Sequence, residues 1–316
     1  MDISVIVPAY NERESLPELT AWIARVMQEH AYSYEVIIID DGSTDGTWNT
    51  VQELAQADPH VHGICFRRNY GKSAALYCGF KRAQGEVVFT MDADLQDSPD
   101  EIPEMYRMIV EEGNDLVSGW KQNRQDNALT KNLPSKLYNA TARRITGIKL
   151  HDMNCGLKAY RKEVVKNIEV YGEMHRYIPY LAKNAGYTRI AEKPVHHQKR
   201  KYGKSKFGLE RFVNGFLDLQ TLWFLTRFGG DPMHFFGYSG LAMFLVGFVM
   251  TVWIIAAKLI HQAQGVKFRA VTDQPLFYLA LVAIVLGVIL FLAGFLGEMI
   301  ARNATERNHY NIKDQL

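Results

Sequence analysis

The first 120 residues alternate short apolar runs with longer segments in which apolar residues recur at helical spacing. The short runs have the composition of buried strands and cover residues 3–7, 36–39, 61–66, 87–91 and 116–118. Because strands that alternate with helices form a mostly parallel sheet covered on both faces, this part predicts an α/β fold. Ligands of such sheets bind beyond the carboxyl ends of the strands.

Two of the predicted helices begin with the same capping signature, a serine followed by a proline and, three residues after the serine, by a glutamate. The pairs are Ser15 with Glu18 and Ser98 with Glu101. The serine oxygen is expected to accept a backbone N–H of the first turn, and the glutamate to bond back to the serine.

Past residue 120 the pattern weakens and predicts a helix over 135–146, a loop and return strand over 152–160, and an edge strand over 189–196.

The C-terminal part of the chain contains two long runs without a charged residue. No Asp, Glu, Lys or Arg occurs between Asp231 and Lys258, or between Asp273 and Glu298. A bilayer core of about 30 Å needs about 20 helical residues, so both runs are predicted to span a membrane. Two spans return the C-terminus to the side of the N-terminal domain. Basic residues after the second span agree with a cytoplasmic tail, although the connecting loop is basic too.

The segment before the first span is both amphipathic and basic. Residues 207–228 show broad apolar stripes at helical spacing, which predicts helices at the membrane interface; an ordinary core helix is the alternative. Residues 189–211 carry eight Lys or Arg and only two acidic residues. This stretch can anchor the chain to anionic lipid. A sharper interpretation is that Arg200, Ser205 and Lys206 close over phosphate groups, and both can hold.

The average composition hides the difference between the N-terminal part, which mixes charged and apolar residues, and the apolar C-terminal part. Hydrophobic residues make up 47% of the chain and the net charge is +2, so bulk charge gives no reason to expect a nucleic-acid partner. Three scattered cysteines, Cys65, Cys78 and Cys155, fit neither a disulfide framework nor a zinc site, and we expect buried thiols in a reducing compartment. The N-terminus shows no basic region followed by an apolar core, so no cleaved signal peptide is predicted.

Acidic residues follow the predicted strand at 87–91. Asp92 and Asp94 are one residue apart, and a divalent cation relieves the repulsion between two such carboxylates. Oxygen ligands suit Mg²⁺ or Mn²⁺, and Gln96 adds a third ligand. Such a cation can stabilise a departing diphosphate. The alternative for Asp-x-Asp alone is a solvated acidic turn.

A second acidic pair, Asp40 and Asp41, ends the strand at 36–39. A carboxylate here can accept hydrogen bonds from a nucleoside base or ribose. The alternative is a helix N-cap for the segment that starts near Asp45, but Asp40 lies too early in the chain for that role.

Six motifs, in this order, resemble the family 2 glycosyltransferases of GT-A fold, especially the polyprenyl phosphate glycosyltransferases. They are VIVPAYNE (5–12), DDGSTD (40–45), NYGK (69–72), DADLQ (92–96), DMNCG (152–156) and YGKSKF (202–207). The resemblance covers nearly the whole chain. The two C-terminal spans resemble the bacterial undecaprenyl phosphate glucosyltransferases, which are often tetrameric, more than the single-domain dolichyl phosphate mannose synthases.

The resemblance implies roles for individual residues. Nucleotide binding is implied for Pro8, Tyr10, Glu12, Asp40 and Asp92. The metal, Mg²⁺ or Mn²⁺, is implied to lie on Asp92, Asp94 and Gln96. Donor or acceptor phosphate groups would bind to Arg200, Ser205 and Lys206. The acceptor phosphate could meet Lys121, Arg124 and Lys136, where the match is weakest. Catalysis would rest on Asp94 and on Asp152, the latter as a base or positioning carboxylate.

The resulting expectation is a GT-A domain with a Rossmann-like, mostly parallel sheet, followed by interface helices and two transmembrane helices. The expected segments are a catalytic domain at 1–206, amphipathic helices at 207–232, the two spans at 233–300 and a cytoplasmic tail at 301–316. By the same resemblance the protein is a multi-pass protein of the inner membrane with a cytoplasmic catalytic domain, and forms a homo-oligomer.

The expected reaction is inverting transfer of a sugar, glucose by the two-span resemblance, from a UDP-sugar to undecaprenyl phosphate. GDP-mannose and other UDP-sugars remain open as donors. A processive polysaccharide synthase is a rival, although such enzymes usually carry Gln-x-x-Arg-Trp where this chain has Gln220 and Trp223 without the arginine. A non-enzymatic membrane adaptor is a second rival. A Rossmann dehydrogenase is disfavoured because no Gly-x-Gly-x-x-Gly follows a strand.

Overall fold

The computed structural model describes residues 1–122, 140–198, 201–202, 220, 224, 232–265, 269–303 and 312–315. The chain divides into two compact units. The first comprises Met1–Leu222 and Arg307–Leu316, and the second comprises Trp223–Glu306. The predicted interface helices at 207–232 lie almost entirely outside the described residues, and so does the greater part of the tail at 301–316.

The first unit is built on one mixed, mostly parallel sheet, as the sequence predicts. Its strands are β1 Ile3–Ala9, β2 Tyr34–Asp40, β3 Val61–Phe66, β4 Val87–Thr90, β5 Leu116–Trp120, β6 Lys158–Arg161, β7 Ile190–Pro194 and β8 Ile312–Gln315. Their order across the sheet is β7-β5-β6-β4-β1-β2-β3-β8. Strand β6 runs antiparallel to both β4 and β5, and β8 runs antiparallel to β3. The predicted return strand is therefore β6, and the predicted edge strand is β7.

Helices connect and cover these strands. They are α1 Leu16–Glu29, α2 Thr47–Ala57, α3 Lys72–Arg82, α4 Ile102–Val110, α5 Lys162–Asn167 and α6 Ile178–Asn184, with 3₁₀ turns at Pro99–Glu101 and Met174–Tyr177. Residues 140–146 are also helical, which agrees with the C-terminal half of the helix predicted at 135–146; residues 135–139 lie outside the described residues.

The central strands are buried on both faces. All seven residues of β2 are buried, and only one residue of β1 is partly exposed. This is why both strands are nearly continuous apolar runs rather than alternating ones. Helix α3 approaches the sheet closely at Gly79, where a Cβ atom would stand 2.5 Å from Ile6 Cγ2. Because α3 begins at Lys72, this packing fixes the position of that lysine's backbone.

One of the two predicted caps is wrong. Ser98 accepts the Asp100 N–H at 3.3 Å, as predicted, but the Glu101 carboxylate accepts the His196 N–H at 3.0 Å instead of bonding back to Ser98. Ser15 makes no side-chain cap bond because its backbone is already helical, with φ −87° and ψ −30°, whereas a capping residue needs an extended backbone to reach the first turn. Its hydroxyl instead donates to Glu12, and Glu18 bonds to Lys201 rather than back to Ser15.

The second unit is a hairpin of two long helices, α7 Pro232–Ala263 and α8 Pro275–Asn303. Within them, Met233–Ala263 and Pro275–Ile300 are long and apolar enough to cross a bilayer. Glycines lie at the seam between the helices. A Cβ atom at Gly240 would stand 2.6 Å from the Gly287 carbonyl oxygen, and one at Gly247 would stand 2.6 Å from the Ala280 carbonyl oxygen. Close backbone packing of this kind is typical of helices in lipid.

Candidate active site

The parallel strands β1, β2 and β4 bring their carboxyl ends to one edge of the sheet. Ala9 at the end of β1 pairs in register with Asp40 at the end of β2. The Met91 N–H that follows β4 donates to the Ile6 carbonyl of β1 at 3.0 Å. The acidic segments after β2 and β4 therefore flank the loop that follows β1, as the alternation of strands and helices predicts.

Side-chain hydrogen bonds connect the loops after β1 and β2. The Asn11 N–H donates to the Ser43 hydroxyl at 2.8 Å, and the Thr44 N–H donates to Asn11 Oδ1 at 2.9 Å. Asn11 has a positive φ of 55°, a backbone region that asparagine tolerates better than most residues. These bonds fix the ends of β1 and β2 relative to each other.

The two neighbouring aspartates at the end of β2 bond to different loops. Asp40 accepts the Ser43 N–H at 3.0 Å within its own turn. Asp41 accepts the Tyr70 and Gly71 N–H groups at 2.7 and 2.9 Å and so holds the loop before α3. Burial raises the pKa of the Asp41 carboxyl, and the two N–H donors partly offset that effect. The N-cap position of α2 is Gly46, and Asp45 just before it accepts the Thr47 N–H at 3.0 Å, so neither Asp40 nor Asp41 is the cap.

The expected nucleotide residues line this part of the edge. Pro8 is partly buried near the end of β1, and Tyr10 follows the strand with 37% of its surface exposed. The Glu12 carboxylate accepts the Ser15 hydroxyl at 3.0 Å, while the Glu12 N–H donates to Thr47 Oγ1 at 3.0 Å. An exposed aromatic ring beside fixed carboxylates suits a nucleoside, which offers a flat face and hydroxyl donors.

The Asp92 carboxylate lies against the backbone of the loop before β6. A Cβ atom at Gly156 would stand 2.4 Å from Asp92 Oδ2, so only glycine leaves room for this carboxylate. The Thr90 hydroxyl donates to the Gly156 carbonyl at 2.9 Å and holds the loop in that position. The antiparallel pairing of Thr90 with Lys158 supports the same arrangement.

Three lysines lie near Asp92. Lys72 pairs with it directly, Lys121 pairs with the buried Asp97 at 2.8 Å, and Lys158 donates to a backbone carbonyl. Burial alone would raise the pKa of the Asp92 carboxyl, but the charges of Lys72, Lys121 and Lys158 outweigh it and lower that pKa to about 2. Asp92 is therefore an anion at neutral pH, which is the state that binds cations.

The segment after Asp92 turns sharply. Leu95 is buried and adopts a positive φ of 58°, a strained conformation for leucine of the kind that concentrates at functional sites. The turn lets the Gln96 N–H donate to Asp94 Oδ1 at 3.2 Å. Gln96 also pairs with Gln198, whose N–H donates to its carbonyl at 2.8 Å. The chain after β7 therefore passes beside Gln96, and Lys201 further on bonds to Glu18 at 2.7 Å.

The residues present fit a divalent cation that is shared with a substrate. In the described part of the chain, no three His, Cys, Asp or Glu side chains converge as a complete metal site. Asp92 and Asp94 supply two carboxylates, and the missing Cβ of Gly156 leaves room for the Asp92 carboxylate itself. Mg²⁺ and similar ions are commonly held by one or two carboxylates together with substrate phosphates and water, so an incomplete protein site is what this chemistry needs.

Asp152 is buried in a loop that Glu192 holds from strand β7. Glu192 Oε1 accepts the His151 N–H at 2.8 Å and the Asp152 N–H at 3.0 Å. Its other oxygen contacts His151 Nδ1 at 2.7 Å, and the His151 ring stacks on Trp120 at 4.3 Å. One carboxylate thus fixes the backbone that carries Asp152.

Not all of the predicted site residues are among the described ones. Five lie outside the described residues: Arg124, Lys136, Arg200, Ser205 and Lys206. Lys121, expected to meet the acceptor phosphate, lies near Asp92 and is paired with Asp97. Sequence reasoning assigned no role to Lys72, although it belongs to the NYGK motif, or to Lys158, Glu192 and His175. His175 bonds to the Ser73 hydroxyl beside Lys72, and nothing in the sequence pattern indicates that contact.

This fold and this edge together define a class. A mostly parallel sheet with an antiparallel strand beside β4, and an Asp-x-Asp turn directly after β4, is the arrangement of a GT-A glycosyltransferase. The chain belongs to Glycosyl transferase family 2, whose sequence model matches residues 4–169.

Curated relatives align over nearly the whole chain. It is 34% identical over 304 residues to a dodecaprenyl-phosphate galacturonate synthase of Rhizobium johnstonii, covering 96% of this chain and 88% of the relative. It is 36% identical over 319 residues to an undecaprenyl-phosphate 4-deoxy-4-formamido-L-arabinose transferase of Shewanella sediminis, covering 99% and 92%. The alignments therefore include the two apolar helices as well as the GT-A unit.

Solved structures confirm the GT-A fold of the first unit. The glucosyl-3-phosphoglycerate synthase of Mycobacterium tuberculosis, solved with Mn²⁺ and UDP-glucose, aligns with a TM-score of 0.53 at 20% identity. The match covers 71% of this chain and 78% of that one. The same synthase has also been solved with Mg²⁺ and UDP, with a TM-score of 0.53. At this identity the likeness concerns the fold alone.

Proposed function

We propose that this glycosyltransferase moves a sugar from a nucleotide diphosphate to a polyprenyl phosphate, with inversion at the anomeric carbon. The observation that carries the proposal is the Asp92 carboxylate, held anionic after β4 and cradled by Gly156. The names of two relatives that align over nearly the whole chain, both polyprenyl-phosphate sugar transferases, support the acceptor class.

The nucleoside would bind at the ends of β1 and β2. Tyr10 offers an exposed ring, Glu12 and Asp40 offer carboxylates, and Pro8 is partly buried near the end of β1. The hydrogen bonds between the two loops hold these groups in place before the donor arrives. Such preorganisation lowers the entropic cost of binding.

A divalent cation would be held by Asp92, Asp94 and Gln96 together with the donor diphosphate. When bound, it would neutralise the charge that develops on the leaving nucleotide. Asp94 is buried and accepts the Gln96 N–H, so its carboxylate is oriented by its own turn. The Gln96 amide nitrogen faces the Gln198 carbonyl at 3.4 Å, which leaves the amide oxygen as the end suited to a cation.

The acceptor is proposed to be a lipid phosphate delivered from the bilayer that the α7–α8 hairpin spans. Lys121 adds positive charge near Asp92. Arg124, Lys136, Arg200, Ser205 and Lys206 remain proposed phosphate ligands.

Asp152 is proposed to orient the acceptor more than to remove a proton from it. A phosphate monoester is already largely anionic at neutral pH, so alignment and leaving-group stabilisation contribute more than base strength. The support is structural: Glu192 holds both backbone N–H groups of residues 151 and 152, which fixes the Asp152 backbone.

The expected donor sugar differs from the sugars for which the relatives are named. Glucose from UDP-glucose follows from the two-span resemblance, but the curated relatives reported above are named for galacturonate and for 4-deoxy-4-formamido-L-arabinose. We therefore propose a UDP-linked sugar and keep glucose as one member of the panel. A cytoplasmic catalytic unit at 1–206, an inner-membrane location and a homo-oligomer also stay proposals.

The test is a donor panel with the full-length protein in nanodiscs, undecaprenyl phosphate and Mg²⁺ or Mn²⁺. The panel contains UDP-glucose, UDP-galacturonate, UDP-4-deoxy-4-formamido-L-arabinose and GDP-mannose, and mass spectrometry reads the lipid. One sugar attached to the lipid phosphate is expected, and Asp94→Ala should abolish it. A polymer product would indicate a processive synthase, and no product from any donor would overturn the proposal.

A further inference from the structure

Of the three lysines near Asp92, two are bound elsewhere. Lys121 pairs with Asp97, whose side chain is fully buried, and Lys158 donates to a backbone carbonyl. Lys72 differs from both, because the ion pair with Asp92 is its sole ion pair within residues 1–122 and 140–198. Among those residues, the charge that most directly neutralises Asp92 therefore has no second ion-pair partner.

The Lys72–Asp92 pair is also the accessible one. About a third of each side chain is exposed, 33% for Lys72 and 35% for Asp92, whereas Lys121 exposes 13%. The backbone beneath Lys72 is fixed, because Asp41 accepts the N–H of the preceding Gly71 and α3 begins at Lys72 itself. The ammonium group can thus move on its four-carbon stem while its anchor stays in place.

A divalent cation and the Lys72 ammonium would compete for the same carboxylate. Asp92 Oδ2 faces Gly156, and the Lys72 ammonium sits on Oδ1. A doubly charged ion placed on Asp92 would repel an ammonium group within a few ångströms. A diphosphate on that same ion would offer the ammonium several new anionic acceptors at short range.

We propose that Lys72 is an exchangeable counter-ion, which neutralises Asp92 in the empty enzyme and moves to the donor diphosphate when a divalent cation takes its place. The proposal rests on the proposed function, because it needs both a cation and a diphosphate at this site. It predicts that the cation and the nucleotide assist each other's binding. Without the nucleotide, the cation has to displace Lys72 from Asp92. Without the cation, the diphosphate meets a Lys72 that is already paired with Asp92. Each ligand therefore favours the binding of the other, and such coupling is reciprocal.

The test measures Mn²⁺ binding by electron paramagnetic resonance on the full-length protein in detergent, with and without UDP. Lys72→Met should bind Mn²⁺ about tenfold more tightly than wild type without nucleotide, because one charge-assisted contact no longer competes. With UDP present this advantage should disappear or reverse, since the diphosphate loses its lysine. The enhancement of Mn²⁺ binding by UDP should therefore shrink in the variant.

Two further variants serve as controls. Lys81→Met makes the same substitution on the same helix, at a lysine over the Tyr77 ring and away from Asp92, and should bind Mn²⁺ as wild type does. Lys72→Arg keeps the charge and should stay near wild type without nucleotide. Thermal unfolding of each variant confirms that it is folded, and if Lys72→Met is not, Lys72→Gln replaces it with the same expectation.

The outcomes separate the two proposals. If Lys72→Met binds Mn²⁺ no more tightly than wild type while UDP still promotes binding normally in both, the counter-ion exchange is wrong and the proposed function stands. If neither protein binds Mn²⁺ even with UDP, the metal-dependent function fails, and the exchange fails with it.

Discussion

The backbone of Gly156 touches the carboxylate of Asp92 so closely that a Cβ atom would stand 2.4 Å from Oδ2 and 2.7 Å from Cγ. An alanine here would have to push the carboxylate aside, which would also disturb its ion pair with Lys72. Gly156 therefore determines where the Asp92 oxygens lie.

Gly156→Ala should displace the Asp92 carboxylate while the fold persists. We expect kcat to fall by about 100-fold or more, since a displacement of about 1 Å can have that effect. The measurement is the rate of lipid-linked sugar formation. Gly172→Ala is the control, because a Cβ atom there meets nothing within 4 Å although φ is positive at 52°. It should lower stability slightly and keep activity. Equal activity of both variants would contradict the positioning role of Gly156.

Glu192→Ala should impair catalysis by releasing the loop that carries Asp152. Two backbone N–H groups lose their acceptor, which costs about 1–3 kcal/mol for each group that stays buried and unpaired. We expect kcat to fall by about 100-fold with a small change in donor KM, because alignment rather than donor binding is lost. Glu192→Gln keeps one oxygen acceptor and should recover part of the rate.

Glu163→Ala is the matched control for Glu192. This glutamate lies in α5 and is exposed, and its backbone carbonyl, not its carboxylate, accepts the Tyr187 hydroxyl at 3.4 Å. Its removal should leave kcat unchanged. A Glu192→Ala enzyme that raised donor KM and kept kcat would show that the carboxylate serves donor binding instead.

His175 should make the protein less stable as the pH falls. Burial, with the nearby charges of Lys72 and Arg176, lowers its pKa from 6.5 to about 3. Between these values the unfolded chain binds a proton that the folded protein does not, so the free energy of unfolding decreases as pH falls below about 6.5. The loss from this one group reaches about 2 kcal/mol at pH 5.

The measurement is thermal unfolding by tryptophan fluorescence from pH 7.5 to 5 for wild type and His175→Gln. The variant does not lose the unfolding free energy that protonation of His175 costs the wild type. The Tm of the wild type should therefore fall more than that of the variant, and the difference between them should narrow as the pH falls. His30→Gln, at an exposed histidine that stacks on Tyr32, should keep the wild-type slope. A constant difference between wild type and His175→Gln would mean that His175 is protonated in the folded protein as readily as in the unfolded chain.

Gly287→Leu should separate the two apolar helices. A Cβ atom at Gly287 would stand 2.6 Å from the Phe244 backbone nitrogen and 2.7 Å from the Gly240 carbonyl oxygen, so the added bulk meets backbone. We expect a loss of about 1–3 kcal/mol, as for other overpacked interiors, seen as a lower Tm in detergent. Val288→Leu alters an exposed position on the same helix and should have little effect. Equal Tm values for the two variants would contradict the glycine seam.

The sequence predicted the parts of this protein that depend on local patterns. The apolar runs became β1 to β5 because buried strands must be apolar on both faces, and the two uncharged runs became long helices. The position of Asp92 after β4 followed from the same pattern. The prediction that Ser15 caps α1 was wrong because the Ser15 backbone is already helical. That conformation belongs to the loop in which the Ser15 hydroxyl bonds to Glu12, and the local sequence pattern does not report it.

Contacts between residues distant in the chain were decided only by the tertiary structure. Gly156 meets Asp92, and Glu192 holds Asp152, because β6 runs antiparallel beside β4 and β7 runs beside β5. Composition and periodicity report which face of an element is buried, but they do not report which strand becomes its neighbour. The sequence thus determined which side chains carry the chemistry, and the sheet order decided which of them touch.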